Sequence, residues 1–148
     1  MSCKSEKAVE LFEQGYNCSQ AVFCAFADDF GFDKETALRI SSGFGGGFGR
    51  MREVCGAFSG ITMLLGLATD TDFSDPHNAK TEVYAQIRAL ADEFREKNGS
   101  LVCRELLEDV PTQSGGVPEK RTAEYYQKRP CKEIVREAAI IIEKYLNQ

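Results

Sequence analysis

Apolar residues recur along this chain at spacings of three and four, and nowhere over a useful length at a spacing of two. That period commits the chain to helices, because side chains three and four apart share a helix face whereas strands alternate. Ala8, Leu11 and Phe12 mark a first helix, which Gly15 stops. Asn17 caps a second, running through Ala21, Val22, Ala25 and Phe26 to about Phe30 and ended by Gly31. Lys34 to Ser42 makes a third. After the glycine-rich stretch Gly43-Phe44-Gly45-Gly46-Gly47-Phe48-Gly49 comes a helix from about Glu53 to Leu67, apolar on nearly all faces and so expected at the centre. Ser74 and Pro76 open a long amphipathic helix with Val83, Ile87, Leu90, Ala91 and Phe94 on its core face, stopped at Asn98-Gly99. Ser100 caps a short helix to about Glu108, and Asp109 to Thr122 reads as irregular. Tyr125 and Tyr126 suggest one turn, and Pro130 starts a last helix carrying Ile134, Val135, Ala138, Ile141, Ile142 and Tyr145. The expectation is a single-domain, all-α bundle of about six to seven helices over residues 1–148, with a glycine-rich loop before the central helix and no internal repeat or linker.

Charge and size narrow the function. With 148 residues, a fold buries roughly 68–70% of its unfolded surface, so six cysteines are not needed as staples. A net charge of -5 argues against nucleic acid, which asks for a basic face. No apolar run approaches the ~18 residues of a membrane span, and Met1 to Glu6 lacks the apolar stretch of a signal peptide, so the chain is expected in the cytoplasm. Cysteines clustered in a small domain in such a reducing compartment point to metal binding or thiol chemistry. The single histidine, His77, excludes sites that need two or more histidines from one chain.

Four cysteines fall at helix starts. Cys18 follows the cap Asn17, Cys55 lies near the start of the central helix, Cys103 comes three residues after Ser100, and Cys131 follows Pro130. Free N–H groups and the helix dipole favour negative charge there, so all four thiols are expected to have lowered pKa values and to share one pocket. Cys24, mid-helix beside Phe23 and Ala25, reads as core, and Cys3, near the terminus, carries no assigned role. The gaps of 37, 48 and 28 residues contain no close Cys-x₂₋₄-Cys pair, so such a site is assembled by folding and not by a local knuckle. The glycine stretch lacks Gly-Lys-Ser/Thr and follows no strand, which removes the phosphate-loop reading. Gly45, Gly46 and Gly47, with Gly56 after Cys55, instead suit a close backbone approach to a buried site, with Arg50 and Arg52 to stabilise a thiolate or anion.

Cys55-Gly56-Ala57-Phe58-Ser59-Gly60 spells CGAxxG. With Cys18 before it and Cys103 and Cys131 after it, the chain resembles the family named for its cysteine pattern, C_GCAxxG_C_C. The resemblance spans Cys18 to Cys131 and implies a redox-active protein built on these four cysteines, with genes for transporters as frequent neighbours. An unknown electron-transfer or transporter-associated protein is the implied partner, and a homodimer is an open alternative.

Four readings follow. The first is an iron–sulfur cluster or other thiolate-bound metal on Cys18, Cys55, Cys103 and Cys131, serving electron transfer. The second is a thiol–disulfide oxidoreductase with Cys55 as nucleophile. The third is a structural Cys₄ zinc site, and the fourth a helical interaction module whose cysteines only pack. His77 is expected to be an exposed residue at a helix start, and Asp70, Asp72 and Asp75 a solvated capping loop. The Asp109 to Thr122 segment is expected to cover the cysteine site.

Overall fold

Each helix begins and ends where the chain supplies the chemistry for it. The computed structural model describes residues 4–108, 110 and 112–148. Among them lie α1 (Lys4–Glu13), α2 (Cys18–Phe26), α3 (Lys34–Ser41), α4 (Gly56–Ala68), α5 (Pro76–Asn98), α6 (Cys103–Leu106), α7 (Ala123–Lys128) and α8 (Cys131–Leu146). The fold is all-α, and the described residues form no β-strand. Asn17 and Gln20 form a reciprocal capping box on α2, with the Gln20 amide donating to Asn17 Oδ1 at 2.9 Å and the Asn17 amide donating to Gln20 Oε1 at 3.1 Å. Asp33 accepts from the Thr36 amide and Asp75 from the Asn78 amide in the same way. Gly99 ends α5 in the left-handed region.

Three boundaries differ from the sequence reading. The central helix starts at Gly56 and not near Glu53, because Val54 is extended and forms an isolated antiparallel bridge with Val102. That bridge also shortens α6, whose start lies at Cys103: the Cys103 amide donates to the Glu53 carbonyl, and Ser100 Oγ accepts from the Val102 amide without capping the helix. The turn at Tyr125 and Tyr126 is a capped helix, α7, with Thr122 Oγ1 accepting from the Tyr125 amide. Eight α-helices among the described residues therefore stand where six to seven were expected.

The packing directs helix starts to one end. A Cβ on Gly60 would stand 2.8 Å from Val22 Cβ, and one on Gly56 would stand 3.0 Å from the Ser19 amide nitrogen. Positions 56 and 60 of α4 thus meet 19 and 22 of α2 in the same order, so the two helices run parallel with their starts side by side. Two hydrogens in place of side chains let the backbones approach this closely. α8 runs antiparallel to α1, with Lys132 paired to Glu13 and Arg136 to Glu6, and antiparallel to α5, with Lys97 paired to Glu137 and Lys144 to Glu93. Phe12, Phe23, Phe26, Ile61, Leu65 and Phe94 fill the space between them, fully buried. Each contributes roughly 1.5–3 kcal/mol relative to exposure.

Candidate thiol site

Four chain segments bring sulfur to one cavity of about 50 Å³, lined by Cys18, Cys55, Cys103 and Cys131. Cys18, Cys103 and Cys131 are the first residues of α2, α6 and α8, while Cys55 is the residue that precedes α4. Cys18 and Cys131 are half-buried, and Cys55 and Cys103 are buried. Cys24 lies elsewhere in the core with its sulfur 3.9 Å from Ser41 Oγ. Cys3 falls outside the described residues.

Two of the four thiols shift each other in opposite directions. The Cys18 thiol hydrogen-bonds to Cys131, which holds the Cys131 pKa below its usual value and raises that of Cys18. Charge explains the direction: the guanidinium groups of Arg129, Arg121 and Arg52 all favour a Cys131 thiolate, whereas only Arg121 acts in that sense on Cys18. Cys18 S–H is therefore the donor and the Cys131 sulfur the acceptor.

The expectation of four activated thiols is corrected here. Burial pushes Cys55 up to about 12 despite the favourable Ala57 and Phe58 amides, and burial also raises Cys103 against the nearby Arg52 guanidinium. A helix start lowers a thiol pKa only while solvent or a cation solvates the charge, and at these two positions desolvation is the larger effect. One thiol is held below its usual pKa among three that are raised above it.

The glycine loop makes the room. Gly46, Gly47 and Gly56 line the cavity, while Gly45 packs its backbone against the Asn17 side chain and lines an adjoining cavity. Gly47 has φ +72°, and a Cβ there would stand 2.6 Å from Cys103 Cβ and 2.7 Å from Arg52 Cα. No other residue fits that position without moving the backbone. The amides of Arg50, Arg52 and Glu53 are turned inward to the carbonyls of Gly45, Gly46 and Gly47, so the loop closes on its own hydrogen bonds.

Arginines complete the site. Arg52 is buried, with Nη1 3.7 Å from Cys103 Sγ and Nε donating to the Gln113 carbonyl; it therefore serves Cys103 and not Cys55. Arg50 donates to the Gly115 carbonyl and pairs with Glu119. Arg121 and Arg129, which the sequence reading missed, stack on Tyr125 at 4.8 Å and 4.5 Å and line the sulfur cavity. The signal for Arg129 was its place two residues before Cys131; for Arg121 no local pattern existed. Residues 112–122 lie against Arg50 and Arg52 through Gln113, Gly115 and Glu119, while Asp109 and Pro111 fall outside the described residues. His77 is exposed near the start of α5, Asp72 accepts from Ser74, and Asp75 caps α5.

Four soft thiol donors suit zinc or iron in kind. Among the described residues no three His, Cys, Asp or Glu side chains are drawn together closely enough to hold a metal ion. Also among the described residues, no helix is long and apolar enough to cross a membrane.

An all-helical scaffold whose helix starts deliver four cysteines to one arginine-flanked cavity defines a class of small cysteine-centred protein. Residues 16–145 match the family model described as "Putative redox-active protein (C_GCAxxG_C_C)", and the chain belongs to that family. No curated protein and no solved structure matches it.

Proposed function

We propose that the cavity is a dithiol–disulfide redox centre in which Cys131 is the nucleophile and Cys18 the resolving thiol. The observation that carries this reading is that Cys18 and Cys131, both half-buried, line one cavity together with Arg52, Arg121 and Arg129. In the reaction, the Cys131 thiolate attacks one sulfur of an incoming disulfide, whose S–S bond breaks and whose departing thiolate takes a proton from water. Cys18 then gives up its proton, attacks the Cys131 sulfur and expels the second thiol. The thiolate and thiol together lose two electrons and one proton, and the incoming disulfide becomes two thiols by taking those two electrons, that proton and one more from water. Capture of Cys131 removes the hydrogen bond and the charge that, with burial, raise the Cys18 pKa, and Arg121 remains beside it, so Cys18 ionises more readily at the step that needs it. Such thiols work in a reducing compartment, which is the basis for reading the protein as cytoplasmic.

A second reading rests on a separate observation, the presence of all four thiols on one cavity. Drawn inward, Cys18, Cys55, Cys103 and Cys131 are the donors an iron–sulfur or zinc centre would take.

Anaerobic purification with metal analysis, followed by oxidation in a graded thiol–disulfide buffer and alkylation mapping, separates the two. The dithiol reading expects a metal-free protein with a single Cys18–Cys131 disulfide and intact Cys55 and Cys103 thiols. It also expects Cys131 to alkylate fastest, with a midpoint below pH 9. Stoichiometric metal lost in any of the four serine variants overturns it in favour of the second reading.

A further inference from the structure

The sulfur cavity has a larger neighbour of about 330 Å³, and the two share Asn17, Gly46, Arg52, Arg121, Tyr125 and Arg129. Four arginines, Arg50, Arg52, Arg121 and Arg129, line the neighbour against one carboxylate, Glu119. This is a concentration of positive charge in a chain whose net charge is -5. The guanidinium groups are not displayed as ordinary surface charge. The side chains of Arg50, Arg52 and Arg129 are 11%, 7% and 7% exposed. Among the described residues Glu119 is the only carboxylate within ion-pair distance of any of the three.

Their existing contacts leave capacity over. Arg121 is committed to the Phe12 and Tyr16 carbonyls, and Arg52 to Gln113 and Cys103. Arg50 Nε, however, is buried with no hydrogen-bond partner. A buried unpaired guanidinium N–H is costly, and an entering carboxylate would satisfy it. The backbone is also bent to deliver these side chains. Arg50 and Arg52 have φ of 63° and 62°, left-handed values that a non-glycine residue adopts only under strain.

We propose that this second cavity binds the carboxylate end of a small anionic disulfide and presents its sulfurs to Cys131. The inference rests on the dithiol reading for its reaction, but the binding site stands on its own geometry. The chemical class is a short organic disulfide with a carboxylate a few bonds from sulfur. A guanidinium fork takes that carboxylate, and the shared wall of Arg52, Arg121 and Arg129 continues from the larger cavity to the thiols. The same arginines that favour the Cys131 thiolate therefore select its substrate by charge.

The test uses the full reduced chain with three disulfides of similar size: dianionic 3,3′-dithiodipropionate, neutral bis(2-hydroxyethyl) disulfide and dicationic cystamine. The expected second-order rate constants fall in that order, with at least a tenfold gap between the dianion and the neutral compound at low ionic strength. Arg50→Gln should remove most of that gap. Binding of suberate, in which two methylenes replace the sulfurs, is measured by calorimetry and reads the cavity without any redox step; it should weaken at least tenfold in Arg50→Gln. Suberate binding with no disulfide reduced retains this inference and overturns the dithiol reading. Equal rates for all three disulfides together with no suberate binding overturn the inference and leave the dithiol reading standing. Should Arg50→Gln unfold, Glu119→Gln provides the second variant: removal of the resident carboxylate must tighten suberate binding, and weaker or unchanged binding overturns the inference.

Discussion

The two ends of α2 set the body of this protein against its site. Toward its C-terminal end Phe23, Phe26 and Cys24 are buried in regular helix, among α1, α4 and α8. At its first residue Cys18 is half-buried beside a loop in which Phe48, Arg50 and Arg52 all have positive φ; among the described residues no other non-glycine residue does. The body follows local preference almost everywhere, with caps, apolar stripes and ordinary backbone. The site departs from preference three times within five residues, and it also holds the buried unpaired Arg50 Nε. Strain of this kind persists only where surrounding structure over-determines it, and such places are enriched in function. Regular packing and the proposed chemistry thus lie in different parts of one small fold.

The strongest way to break that division is to damage the body alone. Phe94 is fully buried and meets the Phe58 ring edge-on at 5.5 Å. Phe94→Ala should lower unfolding free energy by ~3–5 kcal/mol in urea. In native buffer the alkylation rate of Cys131 should be unchanged, and a parallel change in that rate would show that body and site are one cooperative unit.

Alkali should attack from the site side. Cys55 keeps its proton in the folded protein up to about pH 12, whereas an unfolded thiol ionises near 9.0. A folded-state pKa raised above the unfolded value contributes stability below the unfolded pKa, and this contribution is lost as pH rises from about 9 toward 12. Denaturation of reduced protein across that window should show the decline. Cys55→Ala should have a lower starting stability but a shallower slope, and equal slopes would remove Cys55 as the cause.

Gly47 tests the loop itself. Gly47→Ala introduces a methyl group against Cys103 Cβ and Arg52 Cα at a positive φ, with an expected cost of ~1–3 kcal/mol. Unlike Phe94→Ala, it should also expose Cys103, read as faster alkylation in native buffer. Lost stability with no change at Cys103 would make the loop a passive turn.

The division also explains what could be read in advance. Helices in the body were legible because apolar spacing, Asn17, Asp75, Gly31 and Gly99 are local signals with local consequences. The convergence of helix starts was legible in outline from the four cysteine positions. The start of α4 was not, since Val54 pairs with Val102, 48 residues away in sequence. Nor were the thiol pKa directions, which turn on burial and on the arginines at 121 and 129. Both enter the site through tertiary packing, and no window of sequence contains them.

The smallest effect sharpens the comparison most, because it uses one residue type in one helix. Cys24→Ala deletes a buried sulfur from close packing, where it touches only Ser41 Oγ as a polar neighbour, and should cost about 1 kcal/mol. It should leave the Cys18–Cys131 oxidation midpoint where it was. Cys18→Ser keeps a donor of similar shape at a half-buried position, so its stability change should stay below ~1 kcal/mol. Yet it removes the sulfur proposed to resolve, so on that proposal oxidation should stop at a mixed disulfide on Cys131, visible as one added thiol mass. The two positions are six apart in sequence; one is three-quarters of the way along a packed helix and the other is its first residue. If Cys24→Ala shifted the oxidation midpoint, or Cys18→Ser still closed an internal disulfide, the separation of packing sulfur from reacting sulfur along α2 would not hold.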